Sequence, residues 1–179
     1  PRPHLIAMSA TPIPRTLSLT VYGDLDITTL KILPKGRKPI TTTLANNNVK
    51  ENAAYELIRQ QVAEGRQAFV VCPLIEPSEA VEAASALEEF DRLSNDEFKD
   101  LRVGLLHGRM KLTEKQEVMD KVRKREIDVL VATPVIEVGV DIPNATVMMI
   151  MSANRFGLAQ LHQLRGRVGR GEDASYCVL

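Results

Sequence analysis

Three short stretches of this chain are apolar at every consecutive position, Ala68 to Cys72, Val129 to Ala132 and Val147 to Ile150, and Ala174 to Leu179 makes a last, less pure run. A strand with one wet face alternates apolar and polar residues, so an unbroken run bounded by turn residues reads as a strand covered on both sides. Between the runs lie helical patterns. Ala53, Ala54, Leu57, Ile58 and Val62 recur at helical spacing before Gly65, a second helix is expected from a Ser78 cap to about Leu93, and a third from Thr113 to Arg125, with Thr113 as N-cap and Gln116 at the capping-box position. Ile40 to Leu44 and Val103 to Leu106 read as further strands. Leu158, Leu161 and Leu164 mark the buried side of a last helix. Strand and helix alternating at this spacing predict an α/β fold: a mostly parallel sheet with helices on both faces.

Regularity begins near Pro39. Residues 1–38 are rich in Pro and short apolar pieces, with a strand-like Leu5 to Met8 running into Ser9, Ala10 and Thr11, and are expected to form an N-terminal arm ahead of a domain spanning 39–179. Charge then limits what the domain can bind. Lys and Arg total 23 and Asp and Glu total 23, so the net field draws in no polyanion and any nucleic-acid contact must be a local patch. Residues 76–100, with nine acids against two bases, should face away from phosphate. Cys72 and Cys177 each sit inside an apolar run and read as small core hydrophobes, with no disulfide expected. His4, His107 and His162 are scattered, and no metal site is expected in this chain. No leader pattern opens the sequence and no apolar run approaches about 18 residues, from which a cytoplasmic location and no membrane partner are expected.

In parallel sheets, ligands meet the loops beyond the carboxyl ends of the strands. That rule selects Pro73 to Ser78, His107 to Lys111, Thr133 to Pro143 and the loop before Gly157. Gly108 would let a backbone amide approach a ligand while Arg109 and Lys111 supply charge, which suits a phosphate backbone; an ordinary strand-to-helix turn with exposed bases fits the same residues. Thr133 at a strand end could hold phosphate through its hydroxyl and free amides, or cap a helix. Asp141 could accept from a ribose hydroxyl, or close a turn. The densest cluster is Gln160 to Gly171, with Arg165, Arg167 and Arg170, no acid, and Gly166 and Gly169 leaving the guanidinium groups uncrowded. Arginine forks meet phosphate oxygens bidentately, yet a solvated helix end near its C-terminal dipole is an equal reading of the residues alone.

Spacing separates these readings. Gln163, Gly166, Arg167 and Arg170 fit a Gln-x-x-Gly-Arg-x-x-Arg pattern, and with Ser9-Ala-Thr, Leu106-His-Gly-Arg and Val131-Ala-Thr-Pro through Asp141 before it they resemble the motifs of superfamily 2 helicases. Tyr22-Gly-Asp-Leu-Asp, Pro34-Lys-Gly-Arg-Lys-Pro, Val71-Cys-Pro-Leu-Ile-Glu and Arg155-Phe-Gly-Leu-Ala-Gln-Leu-His-Gln-Leu-Arg extend the resemblance to the RecG-type DNA helicases over nearly the whole chain. Transcription-repair coupling factors are similar in fewer of these segments and remain the alternative, beside a non-catalytic α/β module that binds an anion or a protein.

The RecG-type resemblance implies a RecA-like second motor domain of an ATP-dependent double-stranded DNA translocase that remodels stalled forks and branched junctions in recombination and repair. By it, Arg167 and Arg170 are arginine fingers for the terminal phosphate of ATP, with Gly139, Asp141 and Gln163 also on the nucleotide. His107, Gly108, Arg109 and Thr133 meet DNA, and Ser9, Ala10 and Thr11 couple the two motor domains from the end of the first. ATP and Mg2+ are the implied cofactors. Branched DNA, and a first motor domain and wedge domain of the same polypeptide, are the implied partners. Two departures stand out: Pro134 where the family more often has a second Thr, and Met151 to Asn154 in place of a stretch that usually carries an acid. No Gly-x-x-x-x-Gly-Lys-Ser/Thr phosphate loop occurs, so the chain by itself is expected not to hydrolyse ATP.

Overall fold

The computed structural model of the chain describes residue 28 and residues 37–73, 79–134 and 142–179. The expectations for Leu5 to Met8, for Ser9, Ala10 and Thr11, for the Ser78 cap and for Gly139 and Asp141 lie outside the described residues, as does nearly all of the proposed arm. Residues 36–179 form one unit.

Among the described residues six strands make its sheet: β1 (Ile40–Thr43), β2 (Gln67–Val71), β3 (Val103–Leu106), β4 (Val129–Ala132), β5 (Ala145–Ile150) and β6 (Ser175–Val178). They are hydrogen-bonded in the order β1-β6-β5-β2-β4-β3, and every pairing is parallel. The four α-helices among the described residues are α1 (Asn48–Ala63), α2 (Glu79–Arg92), α3 (Leu112–Arg123) and α4 (Leu158–Arg165). The fully apolar runs occupy the middle of the sheet: β2, β4 and β5 are buried at every position. β1 lies at one edge, with Thr41, Thr42 and Thr43 exposed.

Alternation along β2 sends Phe69 and Val71 into one core and Ala68, Val70 and Cys72 into the other. The first core is closed by Met119 and Val122 of α3 and Leu164 of α4; the second by Ala54, Tyr55 and Ile58 of α1 and Ala86 of α2. Helices therefore cover both faces. Cys72 and Cys177 are free, buried and in opposite cores, as small hydrophobes should be.

Two expectations need correction. Helix α3 begins two residues earlier than expected: its N-cap is Lys111 rather than Thr113, and the Lys111 backbone amide donates to Glu114 Oε2 at 2.7 Å, so Glu114 and not Gln116 closes the first turn. Thr113 is an exposed first-turn residue. Likewise Leu158, taken for core, is 86% exposed at the first position of α4, while Leu164 is fully buried and Leu161 half-buried. The helix is only eight residues long, so its buried stripe is confined to its second half.

A cluster that periodicity did not single out holds α1, α2 and the following π-helical turn (Leu93–Glu97) together. Phe98 is fully buried, edge-on to Tyr55 with ring centroids 5.6 Å apart. Arg92 donates to the Tyr55 hydroxyl at 2.7 Å, and Arg59 reaches the Glu97 carbonyl and Asp100 Oδ1. Acids of the 76–100 stretch thus serve this clasp, as Glu89 also does through Arg92.

Candidate functional site

The arginine cluster follows α4. That helix ends on Gly166, whose amide donates to His162 O at 3.1 Å, and the Arg167 amide donates to Leu164 O at 2.9 Å. Val168 and Gly169 are buried, whereas Arg167 and Arg170 flank them half-buried, with Arg170 Nε donating to Gly166 O at 3.3 Å. Gly169 adopts φ +72°, and a Cβ there would stand 2.9 Å from Ile40 Cγ1, so both backbone and space call for glycine. Gln163 is half-buried on the same helix. His162 is exposed and its Nδ1 lies 3.2 Å from the Arg165 guanidinium, a contact between helix neighbours.

The second cluster stands past β3. His107 follows the strand, Gly108 has open space where a Cβ would be, Arg109 is exposed, and Lys115 of α3 reaches back to donate to Gly108 O at 2.5 Å. Lys115 thereby fixes the loop and adds a cation to it. Burial first, then the charges of Lys115 and Arg109, hold the His107 imidazolium below the ordinary histidine pKa. His107 is accordingly neutral at pH 7 and offers hydrogen bonds rather than charge. Its Nδ1 is buried and makes no hydrogen bond among the described residues.

Thr133 follows β4 beside this loop, because Leu106 and Ala132 are registered partners on β3 and β4. It is 1% exposed and its amide already donates to Leu106 O at 3.1 Å. The amide expected to be free is therefore taken, and a phosphate contact from this stretch has to use the hydroxyl or the residues after it. Pro134 is buried.

His107, Gly108, Arg109 and Thr133 are thus brought together at the carboxyl edge of β3 and β4. The arginine loop is not with them. Helix α4 runs back across the sheet, and Gly169 packs on Ile40 and near Ser175, the first residues of β1 and β6. Arg167 and Arg170 therefore belong to the amino edge, which the carboxyl-edge rule did not select. Sequence reasoning also missed the polar ties at that edge. Gln67 Nε2 donates to Val122 O and Ile127 O, Asn144 Nδ2 to Gly65 O and Gln67 Oε1, and Arg66 pairs with Asp173 at 2.8 Å. These join residues up to 107 positions apart, and no local pattern announces them.

Comparison with known proteins fits this architecture. The chain is 51% identical over 177 residues to the ATP-dependent DNA helicase RecG of Synechocystis sp., a match covering 99% of the chain and 21% of that relative. It is 50% identical to the RecG of Staphylococcus epidermidis, with 98% and 26% covered. The chain thus spans about a fifth to a quarter of the length of the curated relatives it matches. Among solved structures, one described as RecG bound to a three-way DNA junction superposes with a TM-score of 0.77 at 49% identity, over 96% of this chain and 22% of that one. Dbp5 of S. cerevisiae, solved with RNA and ADP BeF3, shares the fold at 17% identity and a TM-score of 0.59, over 95% of this chain and 43% of that one. The model of the helicase conserved C-terminal domain matches residues 49–172, from the start of α1 to just past Arg170, and the chain, with its RecA-like parallel sheet, belongs to that family.

Proposed function

We propose that this chain is the second motor domain of a RecG-type, ATP-dependent translocase on double-stranded DNA that remodels stalled forks and branched junctions. Half-identity to RecG across nearly the whole chain is the observation that carries the reading. Residues 39–179 form the motor domain on this view, and residues 1–38 carry the end of the first motor domain, with Ser9, Ala10 and Thr11 coupling the two. The longer polypeptide supplies that first domain and a wedge domain, and works in the cytoplasm; among the described residues no helix is long and apolar enough to cross a membrane.

Arg167 and Arg170 are the catalytic pair, meeting the terminal phosphate of ATP, with Gly139, Asp141 and Gln163 on the same nucleotide. The donor set suits an anion: two guanidinium groups on an acid-free turn, spread by glycines and held by a buried Val168. When bound, ATP supplies a phosphoryl group whose transfer spreads negative charge over its oxygens, and fixed guanidinium groups answer that charge. Mg2+ would be held by the first motor domain, because no phosphate-loop sequence occurs here. His107, Gly108, Arg109 and Thr133 take the DNA backbone at the other edge, where a neutral imidazole and an open glycine favour hydrogen bonding to phosphate oxygens.

The test is DNA-stimulated ATP hydrolysis by this chain beside the same chain joined to its native upstream sequence. Only the longer protein should turn over ATP. Arg167→Ala or Arg170→Ala in it should lower kcat by about 10³-fold or more, as loss of an arginine finger does elsewhere. Hydrolysis by the short chain unaided, or full activity without Arg170, would overturn the reading.

A further inference from the structure

After Arg170 the chain has no regular structure until β6, so something else must fix where the arginine loop leaves the domain. Three contacts do so at the amino edge of the sheet. Gly171 lies so close to the segment before β5 that a Cβ on it would stand 3.0 Å from Pro143 O. Asp173 Oδ1 accepts from Arg66 at 2.8 Å, with both side chains about a third or more exposed. The same guanidinium lies 3.5 Å from Asn144 Oδ1.

Asn144 is itself fixed. Its side-chain amide donates to Gly65 O at 3.0 Å and Gln67 Oε1 at 3.1 Å, and its carbonyl accepts from the Gln67 amide at 3.1 Å. Arg66 is equally anchored, because its amide donates to Gln61 O at 2.9 Å and the next residue opens β2, the central strand. One short corner between α1 and β2 thus grips both the exit of the arginine loop and the segment that immediately follows Asp141.

We propose that Arg66 is a positioning residue: by holding Asp173 beside Asn144, it sets the arginine loop in fixed register with the segment following Asp141. The role rests on the reading of Arg167 and Arg170 as groups that meet ATP. A half-exposed ion pair adds little to global stability, so its value lies in direction. Groups that answer charge in a transition state lose rate steeply when displaced by as little as an ångström.

The test uses the full-length protein and measures kcat and KM for ATP in DNA-stimulated hydrolysis, together with the thermal midpoint. Arg66→Ala should lower kcat about 10-fold while KM for ATP moves less than about 3-fold, the signature of an interaction that matters in the transition state. Asp173→Asn, which keeps the shape of the side chain and removes its charge, should act in the same direction. The exchange of Arg66→Asp with Asp173→Arg should restore most of the loss. Unchanged kcat in both single variants overturns the proposal. So does a fall in kcat that the exchange fails to recover, or one matched by an equal loss of folded protein. Arg170→Ala is run alongside: if it abolishes hydrolysis while Arg66→Ala does not, only the positioning role fails, whereas full activity of Arg170→Ala sinks the underlying reading of the arginines.

Discussion

Gly169 shows how little freedom the arginine loop has. Its left-handed backbone and the 2.9 Å approach of a would-be Cβ to Ile40 place two separate penalties on any side chain. Gly169→Ala should cost about 1 to 3 kcal/mol, read as a lower urea midpoint at unchanged slope. At the opposite edge, His107 offers a titration. Its lowered pKa means that it charges only below the ordinary histidine value of 6.5, so NMR of the ring should show a midpoint under that figure. Because the folded state resists the proton that the unfolded state takes up, His107 costs stability as pH falls below about 6.5. A bound polyanion should raise the midpoint, as opposite charge nearby favours the imidazolium.

Among the elements, α4 carries the sharpest contrast. Leu164 is fully buried between α4 and the sheet, and Leu164→Ala should cost about 2 to 5 kcal/mol, whereas Leu158→Ser at a position 86% exposed should stay within about 0.5 kcal/mol. Equal losses in chemical denaturation would show that the helix is seated differently. Both leucines looked alike in the sequence, since periodicity marks a stripe without saying where a short helix enters the core. Strands were easier to read. Val103 to Leu106 and Val129 to Ala132 stand where they were expected and Ala68 to Cys72 is shifted by one residue; β4, covered on both sides, has no polar position to blur its pattern. The start of α3 was missed for a local reason: Lys111 is not a side-chain acceptor, so only Glu114, three residues on, could have betrayed it. Tyr55, Phe98 and Arg92 were hidden for the opposite reason, meeting across 37 to 43 residues in a clasp with no periodic signature. Of the candidate site, the arginine loop and the His107 turn were legible as motifs, but their placement on opposite edges depends on the direction α4 takes across the sheet.

For the whole molecule, two thiols in opposite cores give a common readout. Burial pushes the Cys72 thiol up to about 12 and Cys177 up to about 11, from an ordinary 9.0. A folded state that holds protons the unfolded state releases is favoured below pH 9.0, and this contribution is lost progressively as pH climbs from there towards 12. Global stability should therefore decline across that range, and alkylation of either cysteine near pH 8 should proceed only through opening of the domain. Rapid alkylation of the native protein would contradict the burial. The parallel sheet between the two cores also separates the two clusters: along the strands, at about 3.3 Å per residue, the five residues of β2 span roughly 17 Å, and the clusters stand besides on strands at opposite sides of the sheet. Close-packed strands buried on both sides have low compressibility and transmit strain. A displacement at the arginine edge would therefore be passed along the sheet towards the His107 edge rather than taken up within it.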